Sequence, residues 1–344
     1  MFCGHTGLKS LFKRAKSDPA VKQKRPWWRR AAFVVLASVL LIMSLLGWYW
    51  SRMPDVFWVN TKANADQPIV GFATTDTLIR VTDTLLEKPG GYLSNDVMLP
   101  SVFLDNMPNW EFGVLQQVRD LARVMRNDYS RSQSQSKEDP DIAAAEPKFF
   151  FDHDSWILPR SEAEYRVAVE GFTNYRDRLS AGNDAQFFAR ADNLREWLAQ
   201  VEKRLGSLTR RLGDSVAVSV VNTDLAGDAA AESTSQLPDN VDVQTSWFEI
   251  DDIFFEARGA SWALVHFFRA AELDFAQVLA DKNAGTSVRQ IIRELEASLQ
   301  PLESPIILNG GGYGLFANHS LVMANYLARA NSAVINLREL LDQG

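Results

Sequence analysis

The stretch IDDIFFEARGASWALVHFFRAAELDFAQV, residues 250–278, carries the richest helical pattern in the sequence. Apolar or small side chains recur along it every three or four residues, which is the spacing of one face of an α-helix. Trp262, Val265 and Phe267 widen this face, so we predict a central helix with neighbours on several sides. The stripe consists of Ile250, Phe254, Ala257, Ser261, Leu264, Phe268, Ala271, Phe275 and Val278.

The same spacing recurs in five other parts of the chain, which predicts an all-α body of six or seven helices. Short connections favour antiparallel neighbours in such a bundle. Stripes of this kind fit packing within one chain and pairing of two copies equally well, so the sequence leaves a homo-oligomer open. The five stripes are Leu115–Tyr129, Tyr165–Leu179, Phe187–Leu212, Val288–Leu302 and Met323–Leu341.

Two polar stretches interrupt the helical pattern. We expect Ser130–Lys148 and Asn222–Ser246 to be exposed, mobile connectors, because the second is rich in small and acidic residues. Between them, Val216–Val221 alternates apolar and small residues and predicts one short strand. We place the helical domain at residues 69–344.

A second apolar stretch, AAFVVLASVLLIMSLLGWYWS, residues 31–51, contains no charge and is bracketed by Arg30 and Arg52. As a helix, 21 residues extend about 31 Å, which matches the hydrocarbon core of a bilayer. A cleaved signal peptide is the alternative, but this run is long and ends in bulky residues. The sequence therefore predicts an uncleaved transmembrane helix that is followed by a juxtamembrane linker over residues 52–68.

Basic residues are distributed unevenly around this helix. Eight Lys or Arg fall in the 20 residues before it and two in the 20 after it. Because basic segments stay on the cytoplasmic side, residues 1–30 should be a cytoplasmic tail and the body should lie outside. The predicted interface anchors at the two ends of the span are Trp27, Trp28, Arg29, Arg30, Trp48, Tyr49 and Trp50.

Charge and cysteine content exclude several functions. The first 50 residues have a net charge of +8 and the remaining 294 a net charge of −15. An acidic body repels phosphate backbones, so we expect no binding of nucleic acid. The only cysteine, Cys3, lies in the tail, which leaves the body without disulfides or cysteine-based metal sites.

The body offers few candidates for catalysis. Neighbouring side chains point in different directions, so Asp152–Asp154 (Asp-His-Asp) is better explained as a solvated turn than as a metal site. Glu249, Asp252 and Glu256 share a helical face, but no Glu-x-x-His pair accompanies them as in di-iron bundles. His266 lies in an apolar helix and should be packed and hydrogen-bonded. We therefore expect no catalytic residue, metal or cofactor.

A glycine-rich segment, Asn309–Gly314 (NGGGYG), precedes the last helix. Glycine-rich backbone at a helix N-terminus can bind an anion, although the Lys-Ser/Thr of a P-loop is missing here. A tight chain reversal explains the same residues. The candidate ligand-binding residues are Gly310, Gly311, Gly312, Tyr313, Asn318 and His319.

Two segments carry a resemblance to a known family. They are residues 90–136, beginning GGYLSNDVMLPS, and residues 309–341, beginning NGGGYGLFANHS. Both resemble an uncharacterised family of proteobacterial inner-membrane proteins, a domain-of-unknown-function family. The resemblance implies a Gram-negative envelope, with the body in the periplasm, and it implies no activity.

Three functions follow as hypotheses. The first is a non-catalytic scaffold or adaptor, with the lipid bilayer and other envelope proteins as its partners. The second is a body that binds a small ligand or hydrolyses envelope glycan with its Gly310–Gly312 loop. The third is a sensor ectodomain, although a 30-residue tail is too short for a kinase or cyclase domain.

Overall fold

The computed structural model describes residues 27–61, 63–64, 67–131, 137–216, 218–221, 240–304 and 306–343. The chain divides into two compact units, Met1–Ser44 and Leu45–Gly344. The first helix, α1 (Trp27–Trp50), runs through the boundary between them. We call the second unit the body.

The helix α1 coincides with the predicted span and begins four residues earlier. Its 24 residues, 18 of which have a mean hydropathy of 2.4, make it long and apolar enough to cross a membrane, properties that a signal sequence shares. Gly47 is its one buried residue. Basic groups lie over rings at both ends, with Arg29 5.4 Å from the Trp28 ring and Arg52 4.0 Å from the Trp48 ring. Their role as anchors stays a prediction.

The fold of the body is all-α, as the apolar stripes predict. Within the described ranges it contains nine helices rather than six or seven, because two short helices lack a long stripe. The helix that ends at Val124 continues into a π-helical turn, Met125–Tyr129. The helices are α2 (Phe72–Glu87), α3 (Asn106–Val124), α4 (Pro140–Phe149), α5 (Ser161–Ser180), α6 (Ala191–Gly213), α7 (Ile250–Asp274), α8 (Ala276–Asp281), α9 (Gly285–Ser298) and α10 (His319–Asp342).

Strands are few and short. The strands β1 (Ala63–Asn64) and β2 (Gln67–Pro68) pair antiparallel, and so do β3 (Val218–Val221) and β4 (Asn240–Val243). The second pair confirms the short strand that the alternation before residue 222 predicts. Residues 222–239, most of the predicted second connector, lie outside the described residues, as do residues 132–136 of the first. Residues 240–243 of the second are not a connector but the strand β4.

The central position of α7 is confirmed. It packs against α2, α3, α6, α9 and α10. Contact with α3 is closest where two glycines meet the opposite backbone: a Cβ on Gly259 would lie 2.0 Å from the Trp110 carbonyl oxygen, and one on Gly113 would lie 2.0 Å from the Glu256 carbonyl oxygen. Neither position has room for a methyl group, which shows that the backbones of the two helices are nearly in contact where they cross.

One expectation was wrong: residues 140–148 are not a connector but most of α4. Asp139 caps this helix, since its Oδ1 accepts from the Asp141 and Ile142 amides at 3.0 and 3.3 Å. Ile142, Ala145 and Phe149 are buried on one face. The polar residues just before the helix obscure this short stripe in the sequence.

The segment that follows α1 packs along α7. The Trp262 indole donates to the Asp55 carbonyl at 3.3 Å, and the Phe57 amide donates to His266 Nε2 at 3.0 Å. The Phe57 ring stacks on the His266 ring at 3.8 Å. His266 Nδ1 donates to the Trp262 carbonyl at 2.6 Å, so both ring nitrogens are used by a neutral imidazole. The prediction of a packed histidine is confirmed.

His266 makes the stability of the body depend on pH. Burial lowers the pKa of His266 from 6.5 to about 3. A folded-state pKa below the unfolded value stabilises the fold above pH 6.5, and the contribution is lost as the pH falls towards 3. We expect wild type to lose up to about 1.4 kcal/mol per pH unit more than His266→Gln over that window. Urea unfolding of both proteins in detergent measures this difference, and parallel pH curves would contradict it.

Several loops meet at one end of the body. The helices α3 and α7 run in the same direction, because Asn109 donates to Asp252 at 2.6 Å near their starts and the Tyr129 and Phe275 rings lie 5.3 Å apart just beyond their ends. The C-terminal end of α2 lies beside the N-terminal end of α3. We call the end where α3 and α7 start the loop end; it comprises residues 88–105, 150–160, 244–249, 299–304 and 306–318.

Candidate functional site

The glycine-rich segment forms a closed hairpin at the loop end. Asn309 and Asn318 pair as an antiparallel bridge. The Gly310 amide donates to the Ala317 carbonyl at 3.0 Å, and Asn318 Nδ2 donates to the Gly310 carbonyl at 2.8 Å. A Cβ on Gly310 would lie 2.2 Å from the Phe316 carbonyl oxygen, so this position requires glycine.

The polar side chains beside this hairpin hold the backbone. Asn318 Oδ1 accepts from the Leu321 amide at 2.8 Å and so caps α10. His319 Nδ1 accepts from the Leu308 amide at 3.1 Å, and burial lowers the pKa of His319. Ser320 donates to Asn309 Oδ1 at 2.8 Å. This geometry fits the tight chain reversal, and ligand binding at these residues stays a prediction.

The three glycines of the hairpin are not equivalent. We expect Gly310→Ala to break the hairpin, because its methyl group would overlap the Phe316 carbonyl, whereas a methyl group on Gly311 would meet no atom within 4 Å. Cleavage by a protease of low specificity between residues 309 and 318 should therefore accelerate in Gly310→Ala. Gly311→Ala is the matched control and should resist cleavage like wild type; equal rates in both variants would contradict this assignment.

The tip of the hairpin exposes large apolar side chains. Tyr313 and Leu315 are as exposed as in an extended chain, at 108% and 101%, and Phe316 is exposed at 73%. The other loops of the loop end also expose large apolar side chains. We call the exposed side chains here the apolar tips; besides those three, they are Val97, Met98, Leu99, Val102, Phe103, Trp156, Ile157, Leu158, Trp247, Phe248 and Ile306.

Two clefts show which of the loops that carry the apolar tips are neighbours. Met98 and Trp156 line one cleft of about 480 Å³, which joins the first two loops. Trp247, Ile306 and Asn309 line another of about 290 Å³ together with Asn106 at the start of α3. The first two tip-bearing loops thus border one another, and the other two border one another beside the start of α3.

The first residues of the body lie against these loops. A Cβ on Gly47 would be 3.7 Å from Leu104 and 3.9 Å from Pro100. Gly90, at a φ of 88°, leaves room for the Trp50 ring, which a Cβ there would meet at 2.8 Å. The last turn of α1 is therefore packed on the segment that carries the tips Val97–Phe103.

A buried ion pair fixes that segment. Lys88 and Glu111 pair with both side chains fully buried. Glu111 also accepts from the Leu93 amide at 2.8 Å, from the Ser94 amide at 2.7 Å and from the Ser94 hydroxyl at 2.5 Å. Burial lowers the pKa of Lys88, and the adjacent carboxylate opposes this shift. No local pattern in the sequence reveals the pair, because its members are 23 residues apart.

A second feature that the sequence did not reveal is the buried Arg258. Its Nη atoms donate to the Gln300 and Leu299 carbonyls at 3.0 Å, and its Nε has no hydrogen-bond partner. Burial lowers the pKa of Arg258, and among the described residues it forms no ion pair. It lines a pocket of about 370 Å³ with His319 and Tyr326.

The acidic candidate groups, Asp152–Asp154 and Glu249–Glu256, also make contacts within the body or lie at its surface. The His153 carbonyl accepts from the Tyr92 hydroxyl at 2.9 Å. Glu256 pairs with Arg211 at 2.7 Å. Burial, followed by the neighbouring carboxylates, raises the pKa of Asp252 to about 6. In the part of the chain that the structure describes, no three His, Cys, Asp or Glu side chains are placed to hold a metal ion.

Comparison with known proteins identifies one family. A family model described as an uncharacterized protein conserved in bacteria (DUF2333) matches residues 21–344. No curated protein and no solved structure matches the chain.

Proposed function

The chain belongs to the uncharacterized bacterial family DUF2333, and from that premise we propose that it is a single-pass inner-membrane protein with a non-catalytic scaffold or adaptor body in the periplasm. The body would hold other envelope proteins near the membrane surface. The proposal combines three separate parts: the anchor, the orientation and the adaptor role.

The anchor and orientation are supported by α1 and its flanking charges. A 24-residue helix that contains an 18-residue window with a mean hydropathy of 2.4 is costly to leave in water when Gly47 is its one buried residue. Eight basic residues precede it and two follow it within 20 residues, which favours a cytoplasmic N-terminus. Trypsin added to spheroplasts should then digest the body. Resistance that disappears only with detergent would contradict this orientation.

The adaptor role rests on one observation: the polar residues of the best ligand-binding candidate are used to hold backbone. Asn318 caps α10, while His319 and Asn309 accept bonds from nearby residues. The exposed faces of the helices are available for contact with other proteins. Crosslinking in intact cells, followed by mass spectrometry, should recover recurrent partners from the inner membrane or periplasm. Recovery of no specific partner would contradict the adaptor role.

A second function, binding of a small anion, is favoured by Arg258. A buried guanidinium whose Nε has no hydrogen-bond partner, and which forms no ion pair among the described residues, can donate to a carboxylate or phosphate oxygen. Its bonds to the carbonyls at the end of α9 also suit a purely structural cation.

Thermal unfolding with added phosphate, acetate or succinate tests the anion site. A stabilisation by one of these that is weaker in Tyr326→Phe than in wild type supports binding in the pocket. The exposed Arg293→Ala provides the matched control for general charge effects. If no anion stabilises the wild-type protein, this second function fails.

A further inference from the structure

We propose that the apolar tips insert into the lipid–water interface of the membrane that α1 crosses, so that the loop end of the body rests on a lipid surface. The inference deepens the proposed function and rests on its anchor. The occupant of the apolar face is thus the outer leaflet of the same bilayer.

The first argument is the identity and exposure of the tips. Leu158 is 91% exposed, Phe248 85% and Phe103 79%, and Leu315 on the hairpin is completely exposed. Soluble monomers rarely leave so many large apolar side chains together in water, and a grouped patch indicates a contact surface. Trp156 and Trp247 belong to the same group, and tryptophan favours the interfacial depth of a bilayer.

The second argument is that the loops are held in this exposed geometry. Asn95 donates to the Ser155 carbonyl at 2.8 Å and to Glu162 at 2.6 Å, which ties the first two tip-bearing loops together. The Ser155 hydroxyl donates to the Pro159 carbonyl at 2.9 Å and supports the turn that presents Trp156–Leu158. Internal hydrogen bonds thus keep apolar side chains outward, although burial would otherwise be favourable.

The third argument is continuity with the candidate membrane span. Residues Leu45–Trp50 belong to the body, and they are also the last turns of α1. Gly47 lies against Pro100 and Leu104, and Trp50 lies against Gly90. The segment that carries Val97–Phe103 therefore directly contacts the point where the chain would leave the bilayer.

The shape and charge of the face favour lipid over a protein partner. Its side chains protrude from separate loops, and fluid acyl chains can surround such tips without matching pockets. Nearby charged groups are mainly acidic, including Asp105, Glu249 and Asp251. These carboxylates lie within three residues of Phe103 or Phe248 along the chain, so zwitterionic headgroups should be accepted more readily than anionic ones.

Fluorescence quenching in vesicles tests the inference on the full-length chain. In a Cys3→Ser background, single variants Phe103→Cys, Leu158→Cys, Phe248→Cys and Leu315→Cys are labelled with an environment-sensitive dye. The proteins are reconstituted in phosphatidylcholine vesicles that contain doxyl-labelled lipid. We expect blue-shifted emission and loss of intensity at all four tips. The matched control is Asp184→Cys, an exposed position on the α5–α6 turn, which should show neither change.

Label at Leu40, inside α1, separates this inference from the anchor. If Leu40→Cys is quenched by lipid and the four tips behave like Asp184→Cys, the lipid contact of the tips is overturned while the anchor remains. If Leu40→Cys is not quenched, the anchor itself fails. Quenching at Leu40→Cys and at the tips supports both.

Discussion

Replacing Glu111 by alanine should destabilise the body by about 3–5 kcal/mol, because it removes one partner of a fully buried ion pair. The Lys88 ammonium would be left without its counter-charge. The Leu93 and Ser94 amides would lose their acceptor as well. Chemical unfolding of the detergent-solubilised protein, followed by tryptophan fluorescence, measures the loss.

An exposed ion pair provides the control for Glu111. Glu87 and Arg166 pair at 3.3 Å with more than half of each side chain exposed. Glu87→Ala should therefore change the free energy of unfolding by no more than about 1 kcal/mol. If Glu111→Ala lowers the free energy of unfolding no more than Glu87→Ala does, the buried pair does not fix the segment after α2 as its geometry indicates.

The second large effect is expected at the crossing of α3 and α7. A methyl group on Gly259 would overlap the Trp110 carbonyl oxygen at 2.0 Å and its carbon at 2.8 Å. Backbone cannot rotate away as a side chain can, so the helices must separate. We expect Gly259→Ala to cost at least about 1–3 kcal/mol, the usual range for overpacking. The same unfolding measurement applies.

Gly206 in α6 is the matched control for Gly259. A Cβ there meets only Asn331 Nδ2, at 3.7 Å, which is an ordinary contact. Gly206→Ala should raise the unfolding free energy by about 0.5–1 kcal/mol, because alanine favours the helix more than glycine does. If both substitutions destabilise the body, backbone overlap at Gly259 and helix propensity at Gly206 do not explain the difference between the two positions.

Long periodic stripes allowed the fold class to be predicted. The stripe of α7 is long enough to show a helical period, and its extra aromatic residues revealed that the helix is central. The helix α4 was missed, since three buried apolar residues in ten give little periodicity beside a polar stretch. Hydrophobic pattern therefore predicts long amphipathic helices better than short ones.

The candidate site was predictable only in part. The glycine cluster marks the hairpin in the sequence, but the requirement for glycine at Gly310, and not at Gly311, depends on where the Phe316 carbonyl lies. Asn318 and His319 were chosen as ligand groups because they are polar and follow glycines. In the folded chain the same atoms meet backbone amides and carbonyls nearby.

The apolar tips were missed for a different reason. Leu158, Phe248 and Leu315 sit in loops, where apolar residues follow no period. Each alone resembles an ordinary surface residue. Their common location appears only when four loops from distant parts of the chain meet at one end of the bundle.

The amino-acid order alone determined the properties that depend on near neighbours: the apolar α1, the charge asymmetry around it and the helical periods of the body. Tertiary structure decided the features that join residues far apart, namely the Lys88–Glu111 pair, the Gly113–Gly259 crossing and the shared face of the tips. The physical reason is the distance along the sequence over which each interaction acts. Helix periodicity acts over three or four residues, whereas burial of a charge or exposure of a loop depends on which distant segments pack beside it.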